Sequence, residues 1–120
     1  MKAEGLVWLG TRTRKFDDTV RFFGDTLGLR TVHEEPDFAV LRLPNVDNIE
    51  VFGPGDRDHK HFTTGPVVGF PVDDVREARA DLEGARITFI GPVHEADDGG
   101  SWSHFTGPDS NVCEITASPQ

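Results

Sequence analysis

The chain has 120 residues, 36% hydrophobic and 28% charged, which fits one folded domain and excludes a disordered or membrane-embedded polypeptide. Its 12 Lys and Arg stand against 21 Asp and Glu, and the formal net charge of -9 opposes binding to nucleic acid or to an anionic membrane. A single cysteine, Cys113, excludes an intrachain disulfide, a cysteine-only zinc site and Cys-x-x-Cys redox chemistry.

The start of the chain, Met1 to Gly5, runs into an apolar stretch broken by Gly10 and Arg12, too short for a signal peptide or membrane span. A cytoplasmic location is the expectation. Residues 6–13, with Leu6-Val7-Trp8-Leu9 at their start, predict a strand. Phe16, Val20, Phe23 and Leu27 recur at helical spacing, with Asp17 and Asp18 in the first turn and Gly28 as a stop, so a helix is expected over 16–28. Strands follow at 31–34, 38–43 and 48–52, separated by Glu35-Pro36-Asp37 and Pro44-Asn45-Val46-Asp47. Residues 53–65 read as a polar connector.

The order then restarts. Residues 67–72 predict a strand. Val75, Ala78 and Leu82 predict a helix over about 74–84, stopped at Gly84. Strands are expected at 86–90, 101–105 and 111–115, with 91–100 as a loop. Asp25-x-x-Gly28 and Asp81-x-x-Gly84 close the two helices with the same spacing, and Glu50 and Glu114 each lie within the last strand of a half. A repeated module that cannot bury its own sheet face predicts two halves paired around a shared concavity. The expected organisation is one α+β domain over 1–120, with two βαβββ modules, about 1–55 and 66–118, forming a curved mixed sheet around a cup.

Phe22-Phe23-Gly24-Asp25-Thr26-Leu27-Gly28-Leu29, Val72-Asp73-Asp74-Val75 and Gly107-Pro108-Asp109-Ser110-Asn111-Val112-Cys113-Glu114-Ile115 resemble motifs of the vicinal oxygen chelate superfamily, the glyoxalase, bleomycin-resistance and extradiol-dioxygenase group. Together with the doubled element order, the resemblance covers nearly the whole chain. It implies a two-fold homodimer, and it implies metal ligands on the first and last strand of each module. The last-strand positions match Glu50 and Glu114; the first-strand positions fall on Trp8 and Val67. Neither Trp nor Val donates a lone pair to a metal, and Val7, Leu9, Pro66 and Val68 are no better. No cofactor or metal is therefore expected, with Glu50 and Glu114 as the only candidate ligands and a divalent metal as the alternative.

Other residues point to a small-molecule cavity. Glu50 and Glu114 are acids amid apolar strand neighbours, and two carboxylates close together suit a cationic ligand or base chemistry. Strand alternation puts Trp102 and His104 on one face and Ser103 and Phe105 on the other. Trp8, Phe52, Trp102 and His104 are the expected aromatic lining. Arg12 and Arg14 follow the first strand, open either to the cavity, where one would neutralise a glutamate, or to solvent. His59-Lys60-His61 reads as a surface loop rather than a ligand pair, and Cys113 as a buried packing thiol. The expected function is metal-independent binding of a cationic or aromatic small molecule. The alternative is a glyoxalase-like lyase, isomerase or dioxygenase with Glu50 and Glu114 as ligands or bases.

Overall fold

The computed structural model describes residues 1, 5–6, 8–63, 65–108 and 110–119. Val7 of the first strand, Thr64 of the connector and Asp109 of the last turn lie outside them, as do Lys2, Ala3, Glu4 and Gln120. The chain divides into two compact units, Trp8–Pro66 and Val67–Gln120 with Met1–Val7. They are called the first and second module. The fold is α+β, and each module is built strand, helix, three strands.

In the first module β1 (Trp8–Arg12) leads into α1 (Phe16–Arg21), a π-helical turn (Phe22–Thr26), β2 (Arg30–Glu35), β3 (Phe38–Arg42) and β4 (Asn48–Phe52). The sheet order is β2-β3-β4-β1. β1 runs parallel to β4, while β3 is antiparallel to both of its neighbours. Alternation sends Ala39, Leu41, Ile49 and Val51 to one face, where they pack with Val20, Phe16, Phe23 and Leu29. Leu41 and Val51 are completely buried, and truncating Leu41 to Ala would cost about 2–5 kcal/mol.

The π turn explains the one failure of the helical pattern. Leu27 N–H donates to Phe22 O at 3.0 Å, a bond spanning five residues rather than four. One extra residue in the turn advances every later side chain by about 100° around the axis. Leu27 therefore faces solvent at 54% exposure, and Leu29 takes the packing position in its place.

The two-residue turn from β2 to β3 places Asp37 at φ 65, a left-handed conformation that Asp tolerates better than most residues. Its carbonyl accepts from Gly53 N–H at 2.9 Å. Its carboxylate occupies the space of absent β-carbons: a Cβ on Gly53 would lie 2.3 Å from Asp37 Oδ1, and one on Gly55 2.2 Å from Oδ2.

In the second module β5 (Val67–Pro71) leads into α2 (Val75–Gly84), β6 (Thr88–Glu95), β7 (Ser101–Thr106) and β8 (Val112–Ala117). The order is β5-β8-β7-β6, with β5 parallel to β8 and the other pairs antiparallel. Asp74 caps α2 by accepting from Glu77 N–H at 3.0 Å; α1, capped by Lys15, has no such side-chain bond. Val75 and Ala78 of α2 pack with Val72 and Ile115, and Phe105 joins that cluster. Ser103, on the same face, accepts from Arg79 of α2 at 3.1 Å. That leaves Trp102 and His104 on the opposite face, as the alternation requires.

β6 is longer than expected. It runs through Gly91 and Pro92 to Glu95, where a loop is predicted. The pairing with β7 is irregular between Ile90 and His94, and Gly91 has φ 72. A bulge on a strand with one neighbour accommodates a proline that cannot donate to the ladder.

Candidate functional site

The polar centre of the second module comes from two neighbouring strand positions. His104 of β7 and Glu114 of β8 are paired in register, so their side chains leave the same sheet face side by side. His104 Nε2 lies 2.8 Å from Glu114 Oε1. His104 is 0% exposed and Glu114 4%. An ionised carboxylate only accepts, so Nε2 carries the proton of this bond. A charged or proton-sharing pair taken this far from water is retained only when well bonded.

Two aromatic rings extend the same face. The bulge in β6 brings His94 opposite Trp102, and their rings stack at 5.3 Å and 15°. The His94 ring also lies 6.1 Å from that of His104. Trp102 Nε1 is buried and has no hydrogen-bond partner among the described residues. A buried donor left without any partner costs about 1–3 kcal/mol, so such a group calls for one, an ordered water included.

The first module carries an aromatic cluster on the sheet face away from α1. The Phe52 ring, 1% exposed, stacks against Phe38 at 5.3 Å and 17° and against His59 at 4.0 Å and 25°. Trp8 meets Phe52 edge-on at 6.3 Å, and Phe62 closes on it at 5.6 Å. Arg12 directs its guanidinium to connector carbonyls, Pro54 O at 3.2 Å and Asp56 O at 3.4 Å, rather than to a glutamate. Its Nε is a second buried donor without a partner among the described residues. Glu50, half-buried, pairs in register with Gly10 and Val40 on this face.

His59 corrects the sequence reading. The connector is exposed at most of its described positions, as a surface loop should be, but the side chains of His59 and Asp56 turn inward and are only 13% and 15% exposed. Asp56 accepts from the His59 backbone N–H at 2.9 Å and from ring Nδ1 at 3.0 Å. A carboxylate on Nδ1 fixes the tautomer and puts the lone pair on Nε2, the arrangement usual for a metal-bound or proton-transferring histidine. Asp56-x-x-His59 followed by Phe62 was the available signal. Cys113 is half-buried rather than fully buried.

The donor inventory is accordingly wider than the two glutamates. Trp8 of β1 and Val67 of β5 are buried apolar residues, 6% and 1% exposed. Yet His59 in the first module, and His104 and Glu114 in the second, each offer one atom of a kind that divalent ions take. The imidazole nitrogen and carboxylate oxygen of the second module suit a borderline or hard divalent ion as far as donor type goes.

Two βαβββ modules in one chain are the architecture of the glyoxalase-like class. The sequence pattern of the Glyoxalase/Bleomycin resistance protein/Dioxygenase superfamily matches residues 5–115, and the chain belongs to that superfamily. No curated protein matches it. Among solved structures it is similar to methylmalonyl-CoA epimerase from Mycobacterium tuberculosis, at 18% identity and TM-score 0.78, covering 98% of this chain and 90% of that one. It is also similar to Streptomyces coelicolor methylmalonyl-CoA epimerase in complex with 2-nitronate-propionyl-CoA, at 16% identity and TM-score 0.75, covering 99% of this chain and 100% of that one. A third likeness is the Mn(II)-bound glyoxalase from Novosphingobium aromaticivorans, at 19% identity and TM-score 0.73, covering 98% of this chain and 40% of that longer one. At these identities the likeness is one of fold.

Proposed function

We propose that the chain is a small-molecule-binding member of its superfamily, that it binds without a metal, and that the His104–Glu114 pair is the polar centre of its site. The observation that carries this reading is the buried 2.8 Å contact of His104 and Glu114 beside Trp102, whose buried indole N–H lacks a partner among the described residues. The pair is hydrogen-bonded internally, and the indole N–H is open to an acceptor. Trp102 and His94 supply flat apolar surface. The ligand class is an aromatic molecule, cationic or bearing a hydrogen-bond acceptor. The acidic chain favours the cation over long range. The ligand-binding set proposed is Trp8, Arg12, Glu50, Phe52, Trp102, His104 and Glu114, in a cytoplasmic homodimer. Light scattering tests the dimer.

A chelated sample melted with phenethylammonium, benzamidinium, benzamide and phenylacetate tests the binding. A ligand of the native state raises the melting temperature with its concentration. The expected result is a shift from an aromatic probe that is lost in Glu114→Gln. No shift across the set, or one indifferent to Glu114, counts against the proposal.

A second reading, metal-dependent lyase, isomerase or dioxygenase chemistry, is favoured by one observation. The His104 and Glu114 donor atoms already stand 2.8 Å apart, close to the roughly 3 Å between adjacent donors on a six-coordinate ion. A divalent ion held there would supply Lewis-acid polarisation of a substrate oxygen. The chain's own part would be to release the His104 Nε2 proton on binding and to orient the ligands. Manganese and zinc titrations of the wild type, Glu114→Gln, His104→Ala and His59→Ala decide this reading. His59→Ala belongs in the set because its Nδ1 is held by a carboxylate.

A further inference from the structure

The face of the first module's sheet that carries α1 is incompletely covered. Leu9 and Ile49 alternate onto it from β1 and β4. Phe22 and Phe23 approach it from the π turn, their rings 5.4 Å apart and edge to face. Between them lies an open cavity of about 400 Å³, whose rim carries Lys15 and Thr19. Its size falls within the range of small-molecule sites. Two of its walls are large apolar residues left in water, Phe22 at 48% exposure and Leu9 at 41%. Phe22 opens the π turn, and π turns inserted in helices occur often at functional sites.

Charge at the rim selects the polar end of an occupant. Asp18, also on the rim, is bound to Arg21 at 2.5 Å. The Lys15 ammonium takes part in no ion pair among the described residues, so the rim presents one uncompensated cation beside apolar walls. We infer that this cavity binds a monocarboxylate with an aliphatic or aromatic tail of about eight to twelve carbons. The tail lies against Leu9, Phe22, Phe23 and Ile49, and the carboxylate meets Lys15. This site is on the opposite sheet face from Trp8 and Phe52 and does not depend on the function proposed above.

The test is a titration of the full ¹⁵N-labelled chain with decanoate and, separately, with decan-1-ol, followed by amide chemical shifts. Saturable shifts are expected at Leu9, Thr11, Lys15, Thr19, Phe22, Phe23 and Ile49 with both probes. Lys15→Gln weakens decanoate about threefold to fivefold and leaves decan-1-ol unchanged. Phe22→Ser weakens both probes about tenfold. Should Phe22→Ser fail to fold, Lys15→Gln, a change at an exposed residue, decides alone. The absence of saturable shifts on this face, shifts confined to the second module, or equal effects of Lys15→Gln on both probes would overturn the assignment.

Discussion

Trp8 lays its ring over Gly10: a β-carbon on Gly10 would lie 2.2 Å from Trp8 Cζ3 and 2.9 Å from Cε3. The two residues share a strand face two positions apart, and the ring needs the space that only glycine leaves. Trp8 cannot swing aside freely, because Phe52 and Phe62 hold it at 6.3 Å each. Gly10→Ala is therefore expected to cost about 1–3 kcal/mol in denaturant unfolding. Adding Trp8→Leu should recover most of that loss, because the smaller side chain vacates the space. Equal costs in both backgrounds would show that the contact is not the cause.

Asp37 sets a similar condition on the connector. Its carboxylate lies against Gly53 and Gly55, and a Cβ on Gly53 would also come within 3.0 Å of the Asp37 Cα. Backbone does not yield as a side chain does. Gly53→Ala should destabilise by about 2–3 kcal/mol and Gly55→Ala by less. In an Asp37→Gly background, which keeps the positive φ, the Gly55→Ala cost should nearly vanish. Urea unfolding of the four-variant cycle reads the coupling directly.

The two helices are capped differently despite their similar sequences. Asp74 stands outside α2 and accepts from Glu77 N–H, whereas Asp18 lies inside α1 and binds Arg21. Asp74→Ala should cost about 1 kcal/mol, the loss of one capping bond. Asp18→Ala should change stability by less than about 0.5 kcal/mol, since an exposed ion pair contributes little. Thermal melts of the two single variants compare them.

Much of this was legible in the residues. Alternation alone separates Trp102 and His104 from Ser103 and Phe105, because a strand has one period whatever packs on it. Phe16, Val20 and Phe23 mark the buried face of α1, but Leu27 misleads. A π turn obeys the same composition as an α-helix and differs only in which carbonyl each N–H finds. His94 is missed for a related reason. Gly91-Pro92 reads as a turn, yet an edge strand absorbs both as a bulge and carries His94 on to Trp102. His59 is missed because its burial depends on Phe52 and Phe62 stacking over a connector of polar composition. The pairing of His104 with Glu114 needs the register of two strands ten residues apart in sequence, which spacing does not supply.

Glu114 has a structural partner, so two substitutions should separate. Glu114→Gln keeps an oxygen to accept from His104 Nε2–H and should lower stability by about 1 kcal/mol or less. Glu114→Ala leaves a fully buried imidazole N–H without that acceptor and should cost about 2–3 kcal/mol. Guanidinium unfolding of both variants checks the order. A Glu114→Gln loss equal to that of Glu114→Ala would mean the carboxylate charge itself holds the strands.

The central claim is that the face bearing His104, Glu114 and Trp102 receives a ligand. The chain has two tryptophans, so its indole N–H signals in a ¹H–¹⁵N spectrum are two and are assigned by one Trp102→Phe variant. The most direct measurement is the Trp102 indole signal during titration of chelated protein with benzamide and with phenethylammonium. The account predicts a saturable displacement of that signal, with one of the probes, as the buried N–H gains an acceptor or its ring a stacked neighbour. It also predicts a loss of about tenfold in affinity in Glu114→Gln. A Trp102 signal that stays fixed with both probes, or moves only after manganese or zinc is added, would contradict it.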